Sequence, residues 1–137
     1  MSYTIRMVDG DEESETLLAL HAQTELPYPR NDVPHWWLTF FEDHPVGYLG
    51  LMASLISPRM AYLIRVGVLP QHRGNSLQLR MMRAASRFAR KQGFSEVISD
   101  TTLNPPSANN FIRAGYHTFL PHFPWALPET IYWRKSL

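Results

Sequence analysis

The sequence predicts one mixed α/β domain over residues 1–137, and three observations predict it. Short stretches rich in β-branched and aromatic residues take turns with stretches whose apolar residues recur at helical spacing. Glycine and proline fall between these stretches. The 137 residues, 45% hydrophobic and 12% aromatic, suffice for a packed core and match the size of one domain.

The elements follow in order. "YTIRMV" reads as a first strand, broken by "DGDEE"; "SETLLALHAQ" is a helix with Ser14 as its N-cap and acids in its first turn. "TELPYPRNDVPHWW", with three prolines, is a loop with at most a short helical turn. "WLTFFED", "VGYLGLMASLI" and "MAYLIRVGV" read as three neighbouring strands with short connectors, the first two joined through "HP", so an antiparallel meander is expected. From Asn75 to Lys91, Leu77, Met81, Ala84, Ala85 and Phe88 recur at helical spacing while Arg80, Arg83, Arg87 and Arg90 occupy other faces; Gly93 ends this helix. "SEVISDT" is a buried strand, "PPSANNFIRAG" a short helix begun by proline and closed by Gly115, and "YHTFL" and "TIYWRKS" two last strands. The order is β-α-loop-β-β-β-α-β-α-β-β, a mixed sheet of six to seven strands with helices on its faces.

Composition narrows the chemistry. A formal net charge of +1 gives no push toward a nucleic acid or an anionic membrane, and neither is expected as a partner. The chain has no cysteine, which excludes disulfides, thiolate metal sites and a cysteine nucleophile; a cytoplasmic protein is the simplest reading. The first fifteen residues turn acidic without a long apolar core, so neither a signal peptide nor a membrane span is expected there. His21, His35, His44, His72, His117 and His122 are scattered, without the i, i+4 pairing of a metal site, so no metal is expected.

The stretch "VGVLPQHRGNSLQLRMM" carries the strongest local signal. A strand ending in Pro70 feeds a loop whose Gly74 lets backbone approach a ligand closely, and the loop opens into the first turn of a long helix, where free N–H groups attract an anion such as a pyrophosphate. Arg73 adds a forked donor suited to phosphate oxygens. No Walker lysine or Rossmann glycine set accompanies it.

Together with the later "NPPSANNFIRAGY", this stretch resembles the GNAT family of acetyl-CoA-dependent N-acetyltransferases, over nearly the whole chain. The family's phosphate loop, Q/R-x-x-G-x-G/A, is met by Gln71 and Gly74, with Ser76 at the last position in place of Gly or Ala. The later element is matched by Asn104, Ser107, Gly115 and Tyr116. The resemblance implies the GNAT fold. It implies that Val66, Gly67 and Val68 form a strand splayed from its parallel neighbour and pair through main chain with the pantetheine arm, which leaves side-chain identity there little constrained. It implies that the amides of Arg73, Gly74, Asn75, Ser76 and Leu77 hold the pyrophosphate, and that Asn104 contacts the cofactor arm; the same Asn104 also reads as a cap for the helix opening at Pro105.

For chemistry, the resemblance places the family's proton-donating tyrosine at Phe111, which has no proton to give and is left as a cofactor-side residue. Tyr116 is the nearest phenol in sequence and the candidate acid, although that position usually packs. The backbone N–H of Val68 is the oxyanion donor. Candidate bases are Glu25, His21, His35 and Asp100. Arg65 stands where many members carry an acid, which disfavours a cationic acceptor. The first helix and the loops "TELPYPRNDVPHWW" and "PHFPWALPET" are expected around the acceptor, with Trp36, Trp37, Phe123 and Trp125 as packing candidates for it or for a sheet edge or a dimer contact. Two functions follow: an acetyltransferase that uses acetyl-CoA on a primary amine of a small molecule or protein, or a CoA-binding module that has lost turnover. Family members often dimerise through terminal strands, so a homodimer is expected as well.

Overall fold

The computed structural model describes residues 2–24, 26–28 and 32–137. The elements run β1 (Tyr3–Val8), α1 (Ser14–Gln23), β2 (His35–Phe41), β3 (His44–Ala53), β4 (Met60–Val68), a 3-10 turn (Pro70–His72), α2 (Leu77–Lys91), β5 (Glu96–Thr102), α3 (Pro105–Arg113), β6 (His117–Phe119) and β7 (Thr130–Ser136). The order is the one expected from sequence. They build one seven-stranded sheet in the order β1-β2-β3-β4-β5-β7-β6. β4 and β5 are its parallel pair, joined by the crossover through α2; the other neighbours are antiparallel.

Helices cover both faces. Leu17 and Leu20 of α1 pack with Trp36, Leu38 and Tyr48 on one face. On the other, Met81, Met82 and Ala85 of α2 and Phe111 of α3 pack on Trp37, Leu49, Leu51 and Leu63. Alternate residues of β2 and β3 thus point to opposite sides, as the pleat requires.

Element ends differ from the sequence reading for identifiable reasons. Ser14 is the first helical residue of α1 and not its cap; Glu13 holds the cap position without a side-chain bond, and Asp9 orders the turn by accepting from the Asp11 and Glu12 amides. The β2–β3 turn is Glu42–Asp43, with Glu42 at φ 55°, so His44 and Pro45 begin β3 instead of connecting two strands. α2 starts at Leu77 and not at Asn75, because Ser76 is left-handed (φ 58°, ψ 26°). In the β3–β4 ladder Gly50 faces Arg65 but Leu51 faces Leu63, so Ile64 is an extra residue and bends β4.

Candidate active site

That bend opens the sheet. β4 and β5 pair only at Met60–Tyr62 with Glu96–Ile98; the Ser99 hydroxyl then makes a last tie to the Leu63 carbonyl (2.7 Å) and the strands part. The Leu69 N–H donates to Val46 O of β3 (2.8 Å), so strand alternation directs the peptide groups of Val66 and Val68 the other way, into the gap. There the Val68 carbonyl accepts from Arg73 Nε (3.1 Å). The expectation of little side-chain constraint fails at Gly67: a Cβ there would lie 2.6 Å from Tyr48 Cζ, because the Tyr48 ring passes directly beneath it.

The turn continues the gap. Gly74 has φ 84°, and a Cβ on it would meet nothing within 4 Å, so glycine serves the left-handed backbone here and not a crowded approach within the protein. Ser76 adopts the same left-handed region with a Cβ, which costs roughly 1–2 kcal/mol. The Arg73 amide is already used by Pro70 O (3.3 Å), whereas those of Gly74, Asn75 and Ser76 donate to no carbonyl of the described residues, and the first amides of α2 have no helical partner. No side chain caps this helix. The result is a concave run of N–H groups, positive by geometry and by the helix dipole. Asn75 pins it from behind, its Nδ2 donating to His72 O (3.0 Å) and to Tyr3 Oη (3.3 Å), while Tyr3 Oη also bonds His72 Nδ1 (3.0 Å).

A cleft of about 450 Å³ joins these parts, with Val66 to Val68 on one wall, Arg73, Gly74, Ser76 and Leu77 at one end, and Asn104, Ser107, Asn110 and Arg113 opposite. Gln71 and Asn75 do not line it. Asn104 caps α3, its side chain accepting from the Ser107 amide (3.2 Å), and it lines the cleft as well, so the two readings of this residue coexist. Gln78 Nε2 donates to Ser107 Oγ (3.0 Å) and ties α2 to α3 across the floor.

Two candidates face elsewhere. Phe111 is 1% exposed, stacked on Trp133 and edge-on to Tyr116, within the core beneath α2. Tyr116 is 3% exposed; its hydroxyl, beside Ser86, has no partner in hydrogen-bonding geometry, and burial pushes its pKa up. A phenol sealed there does not meet a leaving thiolate, and the cleft gains no donor from either ring.

On the α1 face lie further side chains; Thr24 lines the cleft, whereas Asp100, Tyr62 and Trp125 do not. Asp100 Oδ2 accepts from Tyr62 Oη and from Trp125 Nε1 (2.8 Å), which leaves Oδ1 with no protein donor among the described residues. Burial, then the Asp100 charge and hydrogen bond, push the Tyr62 pKa up, so this phenol stays protonated and donates. Arg65 donates from Nε to Pro27 O (2.9 Å) and from Nη1 to Ile64 O (2.8 Å), which clamps the loop after α1 onto β4. Tyr48 Oη bonds Thr24 Oγ1 (2.6 Å), and Thr24 lines the cleft. His21 is buried, with Nδ1 on Leu17 O (2.7 Å) and its ring stacked on Tyr48; desolvation holds its pKa down, with the Leu17 bond opposing and the Arg65 charge adding. His35 packs edge-on against Phe88 on the α2 face, away from the others. Glu25 lies outside the described residues. Trp36 and Trp37 belong to the two cores, Phe123 is exposed, and Trp125 alone of the four tryptophan and phenylalanine candidates bonds Asp100. Tyr48, Thr24 and Tyr62 carried no sequence signal: their place depends on cross-strand register and on the bulge at Ile64.

Among the described residues no group of three or more His, Asp or Glu is placed to hold a metal.

Comparison with known proteins agrees with this fold. The model of the Acetyltransferase (GNAT) family matches residues 4–116. No curated protein matches the chain by sequence. Among solved structures the chain is similar to an IAA acetyltransferase from Bacillus cereus ATCC 14579 (TM-score 0.80, 15% identity, 99% of this chain and 100% of that one). It is also similar to the PaiA N-acetyltransferase of Thermoplasma acidophilum in complex with coenzyme A (0.78, 14%, 100% of both). A third is a chain of the NatC complex bound to Gag peptide and CoA (0.79, 16%, 100% of this chain and 99% of that one).

Proposed function

Because the chain belongs to the acetyltransferase (GNAT) family, we propose that it moves the acetyl group of acetyl-CoA to a primary amine by direct attack in a ternary complex. The observation that carries the reading is the continuity of the strand gap at Val66–Val68 with the unpartnered amides of Gly74–Leu77. Pantetheine extends β4 as an added strand on the first, and the pyrophosphate sits on the second with Arg73 beside it. Acetyl-CoA is a cosubstrate that supplies the activated thioester.

This chain's residues then divide the work. The Val68 N–H faces the developing oxyanion. Asp100, oriented by Tyr62 and Trp125, takes the amine proton through its free Oδ1, directly or through one water. The C–N bond forms and the C–S bond breaks, one proton leaving nitrogen and one reaching sulfur. The Thr24 hydroxyl lines the cleft but already donates to Leu20 O (3.0 Å) and His21 O (3.2 Å), so with phenylalanine at position 111 sulfur takes its proton from water. Arg65 beside this face selects a neutral or anionic acceptor over a polycation.

One observation favours a second reading, a CoA-binding module without turnover: no phenol lines the cleft, and Phe111 and Tyr116 are both core residues. Thiol release from acetyl-CoA, followed with a panel of amines, separates the two. Acceptor-dependent release supports the enzyme. CoA binding with no release from any amine supports the module.

A further inference from the structure

We propose that the outer face of α2 binds the phosphodiester backbone of a nucleic acid. Net charge conceals a division of the chain. Residues 1–43 hold nine acids and two cations, net −7, whereas residues 44–137 hold eleven cations and three acids, net +8. Residues 44–95 contain seven arginines, one lysine and no acid at all. The expectation of no nucleic-acid partner rested on the near-zero sum, and the sum is the wrong quantity when charge is segregated.

The fold concentrates that charge. The exposed residues of α2 are Arg80, Arg83, Arg87, Arg90 and Lys91; every one is cationic. The four arginines sit three or four residues apart, forming a row about 15 Å long at 1.5 Å rise per residue. Neighbours at that spacing repel, and α2 carries no acid to offset them. The dipole favours the cations of the last turn but opposes Arg80 near the first. None of the four side chains has a hydrogen bond or ion pair among the described residues, whose one salt bridge is Arg134–Glu96. The Lys135 amine, in hydrogen bond with Ala114 O (2.7 Å), has its pKa held down by burial first, then by Arg90 and Arg83, so the cationic field reaches past the helix.

The side chains say which anion. Four guanidiniums offer paired donors matched to phosphate oxygens, and a straight row fits a repeating backbone charge. A membrane surface would ask for apolar anchors beside the cations, and the apolar side of α2 is spent on the core. A protein partner would ask for an aromatic or aliphatic anchor, and the row has none. Base contacts are not implied, so binding is to backbone and insensitive to sequence.

The test is fluorescence anisotropy of the whole protein with a labelled 20-nucleotide RNA, as single strand and as duplex, across a salt series. The expected result is binding whose log K falls with log salt at a slope of about −3 for the single strand, as four phosphate contacts require. R83E/R87E should weaken binding more than about tenfold at low salt and roughly halve that slope. R6E/R59E makes the same change in net charge away from α2 and should leave affinity within about threefold. If the reversal fails to fold, R83Q/R87Q carries the same prediction with a smaller loss. Absence of salt-dependent RNA binding overturns the proposal, as does equal weakening by R6E/R59E. Tighter binding of phosphatidylserine vesicles or of polyglutamate overturns it in favour of another anion.

Discussion

The proposed donor side, the cleft before α2, and the proposed acceptor side, the Asp100 cluster on the α1 face, are built from different materials. At the turn before α2 the groups on offer are peptide N–H groups, and what the sequence must supply is backbone shape: a left-handed Gly74, a left-handed Ser76, and a bulge at Ile64 that separates β4 from β5. Around Asp100 the groups are side chains from β4, β5 and the β6–β7 loop, and what the sequence must supply is identity: a carboxylate with two donors on one oxygen. A mutation on the donor side should therefore act through conformation and alter CoA affinity. One on the acceptor side should act through chemistry and spare it.

The largest effect that sharpens this contrast is expected at Asp100. Asp100→Asn keeps the shape and removes the proposed base, so kcat/KM should fall about 10²- to 10³-fold while the Kd for CoA, measured by calorimetry, stays within about twofold. A matching loss of CoA affinity would break the division. Gly67→Ala comes next: its Cβ meets the Tyr48 ring, so stability should drop by about 2–3 kcal/mol in urea melts. Tyr48→Ala in the same chain should recover part of that loss, a coupling that independent sites would not show. Gly74→Val, with no crowding to blame, should lower stability by only about 1–2 kcal/mol yet weaken CoA binding by at least tenfold, because a β-branched residue resists φ 84°.

The smallest effects test the buried groups. Tyr116→Phe removes a hydroxyl that has no partner, so turnover should be unchanged within about twofold and stability equal or slightly higher. A large loss of kcat would restore Tyr116 as the acid. His21 has a depressed pKa in the fold, so protonation favours the unfolded chain: its contribution to stability is full above pH about 6.5 and is lost as pH falls through the lower folded value. His21→Phe should keep the stack on Tyr48 and flatten that acid-side decline in denaturant melts at pH 5 to 7.

How much of this was legible beforehand follows the same division. The element order could be read because each element declares itself locally: Gly93 and Gly115 stop helices, Pro105 starts one, and the strands alternate. The pyrophosphate turn was readable for the same reason, since six consecutive residues make it. Ser76 shows the limit: its departure from glycine suggests crowding, whereas the structure spends it as backbone strain. Nothing local announces that Tyr62 and Asp100, far apart in sequence, share a hydrogen bond, because that depends on parallel register set through α2. Phe111 departs from its expected place for the converse reason, whereas Tyr116 packs as that position usually does. The resemblance puts position 111 at the cleft, but the helical turn carries it to the core side of α3 while Asn110 and Arg113 line the cleft.

The most direct measurement is an amide NMR titration of the protein with CoA. Diphosphate docking on the turn predicts that the largest shifts fall on Gly74, Ser76 and Leu77, with Val66 and Val68 following along the strand, and that Tyr116 and Phe111 barely move. Shifts absent from the 74–77 amides at saturating CoA, or centred on another surface, would contradict the account.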